Sequence, residues 1–213
     1  MITNFKIFEN HYFLNESKEF DNKPSTHEAV DLLGLCDRYS DIAEYIKNKF
    51  SYITFKGNAV DWTSKECKEA GDSADLDQEM HPWYTDISQY IDSIKPQIIT
   101  YQEIPKLLNF LLFKNENNFV EKLKSIPKET STEEIKKIYI NLIEEKDKLY
   151  SRPERNNVDN DNRIVGIIDS IINNNYDPPV LLYCENKKYC IGGRTRLFAC
   201  IALKKNPIVK IMK

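Results

Sequence analysis

The feature that most constrains the fold lies near the end of the chain, where two short apolar runs precede a pair of glycines. The runs, 180–184 and 189–191, are rich in β-branched, aromatic and leucine side chains. Runs of this length on either side of the polar pair Asn186-Lys187 are typical of a β-hairpin. The glycines at 192–193 then interrupt the second strand, and the next apolar run has helical length. The sequence therefore predicts a strand, a tight turn, a second strand, a glycine turn and a helix.

The same unit extends in both directions. Upstream, isoleucines recur at helical spacing from Ile164 to Ile172, and either Asn160 or Asp161 can cap that helix. Downstream, the apolar segment from Ile208 to Met212 is predicted to be a strand. Residues 151–213 are therefore predicted to run α, β, β, α, β.

The glycine turn carries the most specific chemistry. Gly192 and Gly193 allow the backbone to approach a ligand closely, and the first N–H groups of a helix attract anions. Arg194 and Thr195 follow the glycines, and the predicted helix runs from Arg196 to Leu203. A guanidinium offers two parallel hydrogen bonds to a phosphate. We predict a phosphate-binding site formed by these five residues.

The distribution of charge fits an anionic ligand at this end of the chain. The net charge of the whole chain is -3. Residues 151–213 hold 11 Lys and Arg against 6 Asp and Glu, a net of +5, so residues 1–150 carry -8. Either a nucleotide or a nucleic-acid backbone would suit the basic part.

The first 150 residues are predicted to be mainly helical. Apolar side chains recur at helical spacing in four segments, with a capping box at Ser131 and Glu134 before the last. The predicted helices cover 26–50, the segment from Pro82 to Pro96, 103–114 and 132–150. The fold class expected is α+β, with a mainly helical region, 1–150, followed by a small α-β-β-α-β domain, 151–213.

Other features narrow the class of protein. No apolar run approaches the eighteen or so residues of a transmembrane helix, and the first twenty residues lack the pattern of a signal peptide. A cytoplasmic protein without a membrane partner is expected. The five cysteines are scattered without a CxxC pair and the three histidines are isolated, so reduced, packed thiols and no metal site held by protein ligands are expected.

Three segments resemble the ParB/sulfiredoxin superfamily. They are Arg152-Pro-Glu-Arg155 ahead of a helix, Tyr176-Asp-Pro-Pro-Val-Leu-Leu182 before the hairpin, and Ile191-Gly-Gly-Arg-Thr-Arg-Leu-Phe-Ala199 after it. The resemblance covers about residues 150–213. Members carry a Gly-x-(His/Arg/Thr)-Arg motif at the start of a helix, followed by an apolar residue and an alanine. The Gly-Gly-x-Thr-Arg version here is most similar to that of ParB-like proteins from phages and mobile elements.

The resemblance implies roles for individual residues. The superfamily uses the motif to hold nucleotide phosphates, so Arg196 would be the main phosphate ligand and a catalytic residue, with Thr195 completing the cradle. Arg152 and Arg155 match a loop that lies beside the nucleotide in relatives. Glu154 would be a second catalytic residue, contributing a carboxylate for a divalent ion. The implied cofactor is a nucleoside triphosphate with Mg²⁺.

The chain also departs from the superfamily. Arg194 stands where sulfiredoxin has its reactive cysteine, so sulfinic-acid repair is not expected. No helix-turn-helix follows the motif before Lys213, so a role as a partition clamp is not expected either.

Two classes of function remain open. The first is an NTPase or phosphotransferase of DNA metabolism or modification. The alternative is a non-catalytic module, DNA-associated or protein-binding, such as a phage-type regulator. In that module the helical region, 1–150, would recognise the partner.

Overall fold

The computed structural model describes residues 26–61, 82–108, 116–149, 157–184 and 187–213. Its α-helices are α1 (Thr26–Leu35), α2 (Ser40–Lys49), α3 (Pro82–Ser93), α4 (Ile104–Leu108), α5 (Glu116–Ser125), α6 (Thr132–Leu149), α7 (Asn157–Ile172) and α8 (Arg194–Ala202). Its strands are β1 (Phe55–Lys56), β2 (Ala59–Val60), β3 (Gln97–Ile98), β4 (Val180–Cys184), β5 (Lys187–Gly192) and β6 (Ile208–Met212). A 3₁₀ turn, Tyr101–Glu103, leads into α4. Helices and strands are both present, as the predicted α+β class requires.

A four-stranded mixed sheet forms the centre of the fold, with strand order β3-β6-β4-β5. β4 and β5 are an antiparallel hairpin, whereas β4 and β6 run parallel and are joined through α8. β3 adds to the outer edge of β6, pairing Gln97 with Val209. A strand from the first half of the chain is thus hydrogen-bonded to the last strand.

Side chains alternate along β4 and β5 and so supply two hydrophobic cores, one on each face of the sheet. Leu181 and Cys190 enter a core formed with α5, α6, α7 and α8. Leu182 and Tyr189 enter a second core formed with α1, α2 and α3. Both cores contain residues from before and after position 150. The predicted division between 1–150 and 151–213 therefore does not separate two cores among the described residues.

The predicted order α, β, β, α, β is present from α7 to β6. Boundaries shift by a few residues: α7 begins at Asn157, and α8 begins at Arg194, directly after Gly193. Lys187, predicted to lie in the hairpin turn, is the first residue of β5. Ser131 caps α6 as predicted, because the Glu134 N–H donates to Ser131 Oγ at 3.3 Å, one of the two hydrogen bonds of a capping box.

The single helix predicted over 26–50 is wrong, because two helices occupy this segment. α1 ends at Leu35, and Tyr39 adopts an extended conformation (φ -131°, ψ 103°) before α2 begins. Periodicity alone could not reveal the break, since the buried stripe continues from Leu32 and Leu33 into Ile42 and Ile46. The turn redirects α2 so that it contacts β4 while α1 contacts β5.

Two further elements differ from the sequence-based expectation. Of the helix predicted over 103–114, the described part is α4, which ends at Leu108, and residues 109–115 lie outside the described residues. α5 was not predicted. Its buried side chains are Phe119, Val120 and Leu123, too few to stand out in a polar segment.

Four of the five cysteines, Cys36, Cys184, Cys190 and Cys200, are buried free thiols, as predicted. Cys67 lies outside the described residues. Burial raises the pKa of Cys36, Cys190 and Cys200 to about 12, so these thiols are neutral packing groups at physiological pH. No helix in the described parts of the chain combines the length and apolar character needed to cross a bilayer.

Candidate functional site

The glycine turn joins β5 to α8, and Gly193 is the residue that requires glycine most strongly. It lies in the left-handed region (φ 81°, ψ 22°) and precedes α8, with its carbonyl accepting from the Leu197 N–H at 3.1 Å. A Cβ atom on Gly193 would lie 2.8 Å from both Cα and Cβ of Pro179. Conformation and close packing thus both exclude a side chain here.

Gly192 is also approached closely, but by a different part of the chain. A Cβ atom on Gly192 would lie 2.6 Å from Cγ and 2.7 Å from Oε1 of Glu28, in the first turn of α1. The carboxylate of Glu28 therefore lies directly over this glycine. The glycine pair predicts the close approach of a ligand, whereas in the structure both close approaches come from the protein itself.

The predicted phosphate ligands lie together in the first turn of α8. Arg194, Thr195 and Arg196 are its first three residues, and each is partly exposed. The Arg196 guanidinium is 3.8 Å from Oδ2 of Asp177, with 23% of the Arg196 side chain and 74% of the Asp177 side chain exposed. An ion pair this long with one exposed partner stabilises little, so Asp177 does not prevent Arg196 from binding another anion.

A buried tyrosine anchors the first turn of α8. Tyr139 of α6 is fully buried and donates from its hydroxyl to the carbonyl oxygen of Thr195 at 2.8 Å. Burial raises the pKa of Tyr139 above its usual value, so the hydroxyl remains a donor at any physiological pH. The contact ties the first turn of α8 to a helix that lies within the first 150 residues.

Replacement of Tyr139 by phenylalanine is expected to lower the free energy of unfolding by about 1 kcal/mol, because the Thr195 carbonyl loses a buried donor. Urea denaturation followed by circular dichroism measures the change. The matched control is Tyr52→Phe, since Tyr52 donates to Asp86 from an exposed position and its loss should cost less than about 0.5 kcal/mol. Equal effects in the two variants would contradict a buried anchoring role for Tyr139.

Cys190 lies beneath the glycine turn, with its thiol donating to the Gly192 carbonyl oxygen at 3.4 Å. Burial is the main cause of its raised pKa of about 12. Arg194 and Arg196 lower this pKa, whereas Asp31 and Glu28 raise it, so all four charged groups lie near the same sulfur. A thiol this basic is not a nucleophile, and the turn is surrounded by charges of both signs.

The arrangement is suited to binding a phosphate or another small anion. A helix N-terminus and two guanidiniums offer hydrogen bonds and positive charge. The carboxylate of Glu28 opposes an anion at Gly192, and would favour a cation or a hydroxyl donor there. Among the described residues, no group of three or more His, Cys, Asp or Glu side chains is placed to hold a metal ion.

The structure brings Gly192, Gly193, Arg194, Thr195 and Arg196 together, as their adjacency in sequence requires. The other predicted site residues, Arg152, Glu154 and Arg155, lie outside the described residues.

Sequence reasoning missed four residues around the turn: Glu28, Asp31, Asp177 and Tyr139. Glu28 and Asp31 are three positions apart on α1, beside its apolar stripe, so a shared polar face could be read from the sequence. The packing of that face near Gly192 could not be read from the sequence. Asp177 lies in the segment 176–182, which carries part of the family resemblance, but the sequence indicates no role for its side chain.

Comparison of the chain with protein-family models, with curated proteins and with solved structures finds no match.

Proposed function

We propose that this protein binds a nucleoside triphosphate through the turn from Gly192 to Arg196. The observation that carries the proposal is the start of α8, where a left-handed Gly193 is followed at once by Arg194, Thr195 and Arg196. This arrangement places two arginines and the first N–H groups of a nine-residue helix within one helical turn. The resemblance of residues 150–213 to the ParB/sulfiredoxin superfamily supports the same ligand.

Arg196 is proposed as the main phosphate ligand, because its side chain is partly exposed and only weakly paired with Asp177. Arg194 and the hydroxyl of Thr195 are proposed to contact the remaining phosphate oxygens. Rigid support from Tyr139 and Pro179 would keep the cradle in place without a ligand.

Such preorganised positive charge is what phosphoryl transfer requires, and Mg²⁺ bound with the nucleotide would supply further charge stabilisation. We propose hydrolysis or transfer of phosphate as the reaction class, with Glu154 as the candidate ligand for the ion.

The second candidate function is a non-catalytic module that binds DNA or another protein. It is favoured by the packing of the two glycines, because Gly192 meets Glu28 and Gly193 meets Pro179. A fold that is retained without its ligand does not need an open phosphate-binding turn. In this alternative Arg194 and Arg196 would contact backbone phosphates or an acidic partner.

The test is thermal stability of the full chain with ATP, CTP, GTP or UTP and Mg²⁺. A nucleotide at about one hundred times its Kd should stabilise the protein by about 2.7 kcal/mol, a rise in Tm of about 5–10 °C. Arg196→Ala should abolish most of this rise. The matched control is Arg38→Ala, which lies in the turn after α1, outside the proposed site.

The outcome separates the two candidates. A rise in Tm with one nucleotide that Arg38→Ala keeps and Arg196→Ala loses supports the nucleotide site. No rise with any nucleotide argues for the second candidate, for which the measurement is DNA affinity against salt. Contacts to backbone phosphates weaken steeply as salt increases, roughly in proportion to the number of phosphates neutralised.

A further inference from the structure

Glu28 occupies the place beside the glycine turn that an anionic ligand would approach. Its Cγ, Cδ and Oε1 atoms all lie within 3.0 Å of the position that a Gly192 Cβ would take. The space that a side chain at Gly192 would take is therefore occupied by the Glu28 side chain. A carboxylate and a phosphate oxygen are both acceptors that guanidiniums and N–H groups bind.

Charges of both signs surround the glycine turn. Arg194 and Arg196 lower the pKa of the buried Cys190 thiol, whereas Asp31 and Glu28 raise it. A phosphate that entered without displacement of Glu28 would meet a like charge at short range.

α1 holds Glu28 in this position without requiring the carboxylate for its own stability. The helix is anchored by Ala29, Leu32 and Leu33, which are fully or almost fully buried, and it contacts β5 and α3. Glu28 is at the start of the helix and is partly exposed. Its side chain can therefore rotate away from Gly192 while the backbone of α1 stays in place.

We propose that Glu28 is an autoinhibitory group, an internal carboxylate that competes with phosphate for the glycine turn. The proposal rests on the proposed phosphate site and adds to it a closed state, in which Glu28 covers Gly192, and an open state, in which it has turned outward. Binding of a phosphate-containing ligand would require the open state, so its apparent affinity is reduced by the fraction of molecules that are closed.

The experiment compares five full-length chains: wild type, Glu28→Gln, Glu28→Ala, the double variant Glu28→Ala with Arg196→Ala, and the control Glu44→Gln. Glu44 is an exposed residue of α2. Inorganic pyrophosphate and ATP, each with Mg²⁺, are titrated by calorimetry. Removal of the charge should tighten binding by about tenfold or more in both Glu28 variants, with the larger gain for alanine, because it also removes the covering atoms. Glu44→Gln should match wild type.

The outcomes distinguish this inference from the function on which it rests. Tighter binding by the Glu28 variants that is lost on addition of Arg196→Ala supports both. Binding by wild type with unchanged affinity in Glu28→Gln and Glu28→Ala overturns the autoinhibitory role and leaves the nucleotide site standing. Absence of binding by every chain, including Glu28→Ala, overturns the nucleotide site and the inference together.

Discussion

Replacement of Gly193 by alanine is expected to lower the free energy of unfolding by about 2–5 kcal/mol, since two costs add. A residue with a Cβ pays about 1–2 kcal/mol in the left-handed region, where Gly193 has φ 81°. The new methyl would also lie 2.8 Å from the Pro179 backbone, which cannot move freely because its carbonyl accepts from the Lys210 N–H at 2.9 Å. Overpacking of this kind costs about 1–3 kcal/mol. Thermal denaturation should show a decrease in Tm of about 5–15 °C.

Two other glycines provide matched controls. Gly192→Ala should cost under about 1 kcal/mol, because the atoms in its way belong to the flexible Glu28 side chain. Gly166→Ala, in the exposed face of α7 with nothing within 4 Å, should stabilise by about 0.5–1 kcal/mol. If Gly193→Ala were as mild as Gly192→Ala, the turn would not be held as the structure shows, and the proposed cradle would lose its rigid base.

Replacement of Phe198 by alanine is expected to have the largest effect on stability, about 3–5 kcal/mol. Phe198 of α8 is 1% exposed, and its ring meets that of Phe119 of α5 edge to face with centroids 4.9 Å apart. The pair joins α5, which lies within the first 150 residues, to the helix that carries the arginines. Urea denaturation should show one transition in the wild type, and its midpoint should fall in the variant.

The matched control is Phe198→Leu, which keeps most of the volume and should cost less than about 1.5 kcal/mol. The shape of the transition tests the organisation of the chain as well as the contact. Two separate transitions in the wild type, with only one displaced by Phe198→Ala, would contradict the shared cores and favour two independent domains at the predicted boundary.

Much of the local structure could be predicted because local signals are strong there. Pro82 at the start of α3, Ser131 before α6 and the glycines before α8 mark element ends through backbone chemistry that needs no distant partner. The two-residue strand β3 could not be predicted. Gln97 and Ile98 are exposed and become a strand only because β6 offers an unpaired edge.

The candidate site also contains residues that the sequence could predict and residues that it could not. The run from Gly192 to Arg196 could be chosen from the sequence as a candidate phosphate site, since five adjacent residues carry the whole pattern. The groups that modify it come from distant positions: Tyr139 beneath Thr195 and Glu28 over Gly192 are separated from the turn by 56 and about 160 residues. Neither residue has a local sequence signature, because its role depends on where the helix that carries it packs.

The sequence by itself determined the order of elements from α7 to β6, the glycine turn and the basic charge around it, because periodicity, turn chemistry and charge are properties of neighbouring residues. Only the tertiary structure decided that helices from the first 150 residues cover both faces of the sheet, and that one of them places a carboxylate at the predicted anion site. Burial of apolar faces drives that arrangement, and it depends on which surfaces fit together over the whole chain.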